Sequence, residues 1–109
     1  MQRTCLTLDL VDDAVLIAEY EKYHVKIWPE IEKSIKDSGI ITMQIYRLHT
    51  RMFMIIDAED WFSFEAKSKA DAENPKVQDW EQLMWKYQAA LPQAKPGEKW
   101  LLMTKIFEL

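Results

Sequence analysis

An α+β fold, an antiparallel sheet with helices packed on one face, is predicted by the order in which apolar periodicities follow one another along the chain. Three observations carry that prediction. CLTLDLV near the start and WLLMTKIFEL at the end read as strands. IITMQIYRL and MFMIIDA, joined through His49, Thr50 and Arg51, read as a central hairpin. Between these strands lie two stretches of helical spacing, each interrupted by a proline. The order β, broken α, β, β, broken α, β is the ferredoxin-like arrangement, two β-α-β units around a hairpin.

In the first strand Leu6, Leu8 and Leu10 alternate with Cys5, Thr7 and Asp9, which gives one apolar face. Asp12 or Asp13 then caps a helix whose stripe runs Ile17, Tyr20, His24 and Ile27. Pro29 disfavours helical backbone at Trp28 but suits the first turn of a new helix. The chain therefore breaks near residues 26–28, and a second helix carries Ile31 and Ile35 to a stop at Gly39. After the hairpin a helix is expected from about Asp60, bearing Trp61 and Phe64. Asn74-Pro75 is a cap followed by proline at the first helical position, and Val77, Trp80, Met84, Tyr87 and Leu91 follow at helical spacing. LPQAKPGEKW, with two prolines and a glycine, is a loop before the final strand. Such an arrangement leaves one sheet face bare. A second copy of the chain is the expected cover, which predicts a homodimer.

The 109 residues suit one domain spanning 1–109. Apolar residues at 49% and charged residues at 29% place it among soluble globular proteins. The net charge of −4 arises from 18 acidic and 14 basic residues interspersed along the chain, with no basic stripe to hold nucleic acid. MQRTCLTLDL lacks the apolar run of a signal peptide, and no apolar run is long enough to span a bilayer. Cys5 is the single cysteine, so an internal disulfide is excluded; an inert thiol in a strand and a cytoplasmic setting are expected.

The chemistry-bearing residues are few. Two distant histidines and one cysteine match no zinc spacing, and neither a phosphate-binding glycine loop nor a nucleophile elbow occurs. The six methionines read as core filler. His24 follows Tyr20 by one helical turn and sits beside the proline break, where helix carbonyls favour a cation and support the protonated imidazole. Two readings of the pair stand on these residues alone. Both are packing residues, with His24 bonded to a backbone carbonyl, or they form an acid–base wall of a pocket. His49 falls in the hairpin turn, where an exposed polar residue is ordinary. Trp85 lies off the apolar stripe, next to Gln78, Glu81, Gln82 and Ala89, so its indole faces a ligand, a partner or a neighbouring loop.

These residues bring a resemblance with them. Tyr20-x-x-x-His24, then Ile27-Trp28-Pro29-Glu30, Gly39 ahead of the Met43–Tyr46 strand, Trp85-Lys86-Tyr87, Pro92 and a closing stretch through Phe107 resemble the L-rhamnose mutarotases in order along the chain. The resemblance implies a dimeric ferredoxin-like enzyme that interconverts the α and β anomers of a 6-deoxy sugar without metal or cofactor. It places the family's proton-donating histidine on His24, its substrate-contacting tyrosine on Tyr20 and one of its paired tryptophans on Trp85. The chain departs from the family pattern at Met43, where a second substrate-contacting tyrosine aligns, and at Met84, where the first tryptophan of the pair aligns. A methionine cannot make the hydrogen bonds that distinguish sugar epimers, so L-fucose stands beside L-rhamnose as substrate. Two other functions fit the same scaffold: a cofactor-free monooxygenase or haem-degrading enzyme, and a non-catalytic sugar-binding module.

Overall fold

The computed structural model describes residues 1–109. Its elements in chain order are β1 (Gln2–Leu10), α1 (Ala14–Tyr23), α2 (Pro29–Asp37), β2 (Ile40–Leu48), β3 (Arg51–Ala58), α3 (Phe64–Ala72), α4 (Pro75–Trp85), β4 (Gln88–Ala89) and β5 (Leu101–Leu102). The sheet order is β2-β3-β1-β4, with β5 also on β1, and every pairing is antiparallel. This is the α+β, ferredoxin-like layout expected from the element order.

Register decides which side chains the helices cover. Leu6 lies opposite Met54 and Leu8 opposite Met52, so both strands turn their apolar sets to one side. All four are buried, and Tyr20, Ile31, Val77, Trp80 and Met84 from the helices join Leu8 and Met52 in one cluster. The core forms two neighbouring clusters, one around Leu8, Met52 and Trp80 and the other around Leu6, Ile56 and Phe62. The opposite side of the sheet carries Tyr46, Phe53, Ile55 and Cys5, flanked by the Arg3–Asp57 and Arg51–Asp9 ion pairs. No helix covers that side.

Three local expectations are corrected. α3 starts at Phe64, not near Asp60, because the Ser63 side chain accepts from the Ala66 amide and sets the start there. Trp61, left in the preceding turn, lays its ring over Gly39. That glycine has a φ of 101°, and a Cβ added to it would sit 2.8 Å from the indole. The closing strand is only two residues long, with one more backbone bond from the Met103 amide to the Cys5 carbonyl at 2.8 Å. Beyond it, Thr104, Ile106 and Glu108 would point toward the helices if pairing continued, and a set with one apolar member gains little from burial. The tail is exposed, with Ile106 and Phe107 outward. Finally, β4 takes up Gln88 and Ala89, whose neighbours Tyr87 and Leu91 the helical spacing had assigned to α4.

Candidate functional site

The site grows from the end of α1. The Asp13 carboxylate accepts from the Val15 and Leu16 amides at 2.9 and 3.0 Å, which fixes the helix start and turns Tyr20 inward. The helix stops one residue before His24, whose amide bonds the Glu21 carbonyl at 3.1 Å. The Tyr20 carbonyl is thereby released from the helix ladder, and the His24 ring takes it, Nδ1 lying 2.8 Å from the oxygen. A carbonyl oxygen only accepts, so Nδ1 carries the hydrogen and Nε2 holds the lone pair. The Tyr20 and His24 rings lie 4.3 Å apart between centroids, and the His24 ring meets Trp80 edge-on at 5.6 Å. Trp28, just before the break, backs Trp80 at 5.0 Å.

This packing reverses the electrostatic expectation for His24. Burial pushes the imidazole below its ordinary pKa, and the bond to the Tyr20 carbonyl opposes that push without overcoming it. At neutral pH the ring is therefore neutral, with Nε2 available as an acceptor. The cation-favouring helix end loses to the surrounding aromatic rings. Burial also raises the pKa of Tyr20, while the Gln88 amide, whose Nε2 donates to the phenol oxygen at 3.4 Å, works the other way.

Tyr20 and His24 line one open cavity of about 460 Å³ between the helices and the sheet. Met43 and Met84 form part of its walls, so both departures from the family pattern fall on the cavity itself. At another part of the lining the Lys67 ammonium bonds Asp71 at 2.8 Å, and the Ser34 hydroxyl donates to the same carboxylate at 3.3 Å. Lys99, from the proline-containing loop, also lines it. Its ammonium donates to the Glu81 carbonyl at 2.7 Å, and burial lowers its pKa to about 8.

Of the three residues singled out in the sequence, the fold brings two together. Trp85 is outside the cavity lining; it is 38% exposed and lies under the Lys99 ammonium, 4.7 Å from ring centroid to nitrogen. The indoles on the cavity wall are Trp80, which helical spacing assigned to the core, and Trp100. His49 is remote from it, in the hairpin turn at φ 52°, with Nε2 3.4 Å from Asp12. Sequence reasoning also passed over Gln88, Lys99 and the Lys67–Asp71 pair. Gln88 left a trace, a polar residue one turn after Met84 and inside the span of the apolar stripe; Lys99, in a loop without periodicity, left none.

The sequence model of the L-rhamnose mutarotase family matches residues 3–109. The chain belongs to that family. An L-fucose mutarotase of Xanthomonas campestris pv. campestris is 44% identical over 111 residues, spanning 100% of this chain and 89% of that protein. An L-rhamnose mutarotase of Phocaeicola vulgatus is 35% identical over 78 residues, covering 72% of this chain and 69% of the relative. The crystal structure of an L-rhamnose mutarotase from Formosa agariphila aligns over 100% of this chain and 99% of that one, with a TM-score of 0.74 and 18% identity. At that identity the likeness is one of fold. Family membership disfavours the monooxygenase and haem-degrading reading.

Proposed function

We propose that the chain is a sugar isomerase that interconverts the α and β anomers of a 6-deoxy-L-hexose, L-fucose ahead of L-rhamnose. The observation that carries this reading is the Tyr20–His24 pair on the wall of a cavity roomy enough for a monosaccharide. The preference for L-fucose follows the 44% identical relative named for that sugar, together with Met43 and Met84 in place of aromatic contacts.

The reaction needs a proton taken from the anomeric hydroxyl and another given to the ring oxygen. The neutral His24 takes the first at Nε2 as the bond between the anomeric carbon and the ring oxygen breaks. The Tyr20 phenol, receiving a hydrogen bond from Gln88, keeps its own hydrogen free to donate to the ring oxygen. The aldehyde then turns about its bond to the next carbon. On closure the former ring oxygen returns its proton to Tyr20 while the new anomeric oxygen takes back the proton from His24. General acid–base assistance of this kind is worth about 10²–10⁴-fold, which suits a reaction that also runs in water. Trp80 offers the ring face for the apolar side of the sugar, and Trp85 supports Lys99 at the rim. The test is saturation-transfer NMR of anomeric protons over L-fucose, L-rhamnose and other aldoses. Acceleration of at least one is expected; none would overturn the reading.

A homodimer belongs to the same proposal. The uncovered sheet side, with Tyr46 and Phe53 between ion pairs of both signs, and the apolar tail at Ile106 and Phe107 are supplied for a second copy. Sedimentation equilibrium giving a monomer mass at micromolar concentration would refute it. The free Cys5 thiol suits a cytoplasmic setting.

A further inference from the structure

Apart from the tyrosines and Trp80, Gln88 is the one buried residue with a polar side chain, at 6% exposure. β4 puts it there. Its backbone pairs with Leu10, the last residue of the central strand, and its side chain joins the cavity lining beside Tyr20 and His24. One end of the amide is engaged, since Nε2 donates to the Tyr20 hydroxyl at 3.4 Å. The other end is not: Oε1 is buried and has no hydrogen-bond partner.

A buried carbonyl without a donor is costly and rare in native interiors. Leucine or methionine would fill the same space without that penalty, because an apolar residue of similar shape leaves nothing unpaired. The Tyr20 hydroxyl beside it keeps one hydrogen, which the proposed reaction commits to the sugar's ring oxygen, and the His24 Nδ1–H is spent on the Tyr20 carbonyl; Met43, Met84 and Ile45 in the same lining are apolar. The last torsion of a glutamine is broad, so the amide can turn its carbonyl toward the cavity without leaving a rotamer well. The bond to Tyr20 is long enough to shorten as it does so.

We propose that Gln88 is the specificity-determining residue of this pocket: its carbonyl accepts a hydrogen bond from one hydroxyl of the bound sugar while its amide holds the Tyr20 phenol. The inference rests on the mutarotase reading and goes beyond it by naming where sugar identity is read. The ligand class it selects is an aldose that presents a hydroxyl at that point. An epimer that points the hydroxyl elsewhere, or a deoxy analogue that lacks it, leaves the carbonyl unpaired in a dry site and is rejected. A methionine wall gives no such discrimination, so the amide stands in for contacts that Met43 and Met84 cannot make.

Two measurements test this. On the wild type, anomer exchange is followed for L-fucose, L-rhamnose and mono-deoxy analogues of the faster sugar. Removing one particular hydroxyl is expected to lower kcat/KM by about 10- to 100-fold, the effect of one unpaired buried acceptor. The second uses Gln88→Met, with Gln88→Leu as an alternative if the first fails to fold. The variant is expected to lose about as much on the parent sugar as the wild type loses on the sensitive deoxy analogue, and to treat parent and analogue alike. A wild type indifferent to every single hydroxyl, or a Gln88→Met protein that keeps the wild-type ranking of sugars, would overturn the assignment and leave the mutarotase reading standing. A wild type that accelerates no aldose removes both.

Discussion

The chain breaks a helix twice at a proline, and the two breaks are built differently. Between α1 and α2 the gap runs from His24 to Trp28, and Trp28 caps α2 without any side-chain bond. Between α3 and α4 the gap is Glu73 and Asn74 alone, and the Asn74 side-chain Oδ1 accepts from the Lys76 and Val77 amides at 3.1 and 3.3 Å. At each break a side-chain donor reaches a carbonyl at the end of the first helix. At the tight break it is the Gln78 amide, on the Asp71 carbonyl at 2.9 Å, which also accepts from the Asn74 backbone amide at 3.2 Å. At the loose break it is the His24 imidazole, on the Tyr20 carbonyl. One device therefore does two jobs. A neutral amide closes a joint, whereas an imidazole in the same role closes the joint and is left with a basic nitrogen on the cavity wall.

The comparison fails or sharpens on three outcomes. The largest concerns His24→Ala. If the loose break exists to present a proton acceptor, the catalysed exchange rate should fall by about 10²–10⁴-fold, toward the rate in water, while the fold survives. An equally fast variant, measured by the same NMR exchange, would remove His24 from the mechanism. Next is pH. His24 in the unfolded chain titrates near its ordinary value of 6.5, but burial sets it lower in the folded protein. As pH falls below 6.5 the unfolded state binds the extra proton first, so His24's contribution to stability is present above that pH and lost as pH falls toward the folded pKa. Catalysis falls over the lower part of the same range, as Nε2 fills. Urea unfolding and exchange rates from pH 7 to 5, compared with His24→Gln, isolate both effects; identical pH profiles for the two proteins would contradict the neutral-base assignment. The smallest effect belongs to the tight break. Asn74→Ala should lower stability by about 1 kcal/mol and leave the rate per folded molecule unaltered, and a rate loss there would erase the distinction between the breaks.

Both breaks were legible in the sequence, because proline and the residue before it restrict the backbone whatever surrounds them. The sheet was legible for a similar reason. Alternation in β1 assigned Leu6, Leu8 and Leu10 to one face before any pairing was known, and the pairing then set Met54 opposite Leu6 and Met52 opposite Leu8. The site was legible only along α1, where one turn of spacing placed His24 against Tyr20. Its charge state was not, since it depends on Trp80, far along the chain, whose ring desolvates the imidazole. Trp85 shows the converse limit. Its off-stripe position left a ligand, a partner or a neighbouring loop open, and the structure sets Lys99 of the proline-containing loop over the ring, from a stretch with no periodicity to read. Gln88 lay beyond the reach of helical spacing because α4 ends at Trp85 and a two-residue strand resets the direction of the next side chains.

The edge contact between His24 and Trp80, 5.6 Å between ring centroids, gives the protein an optical reporter. A protonated imidazole quenches an adjacent indole by accepting an electron from its excited state, whereas a neutral one does so weakly. Emission from Trp80 therefore dims as His24 gains its proton, and a sugar seated in the cavity beside them changes the same signal. The ionisation proposed to govern turnover is then visible as light from the resting protein, with no substrate turned over.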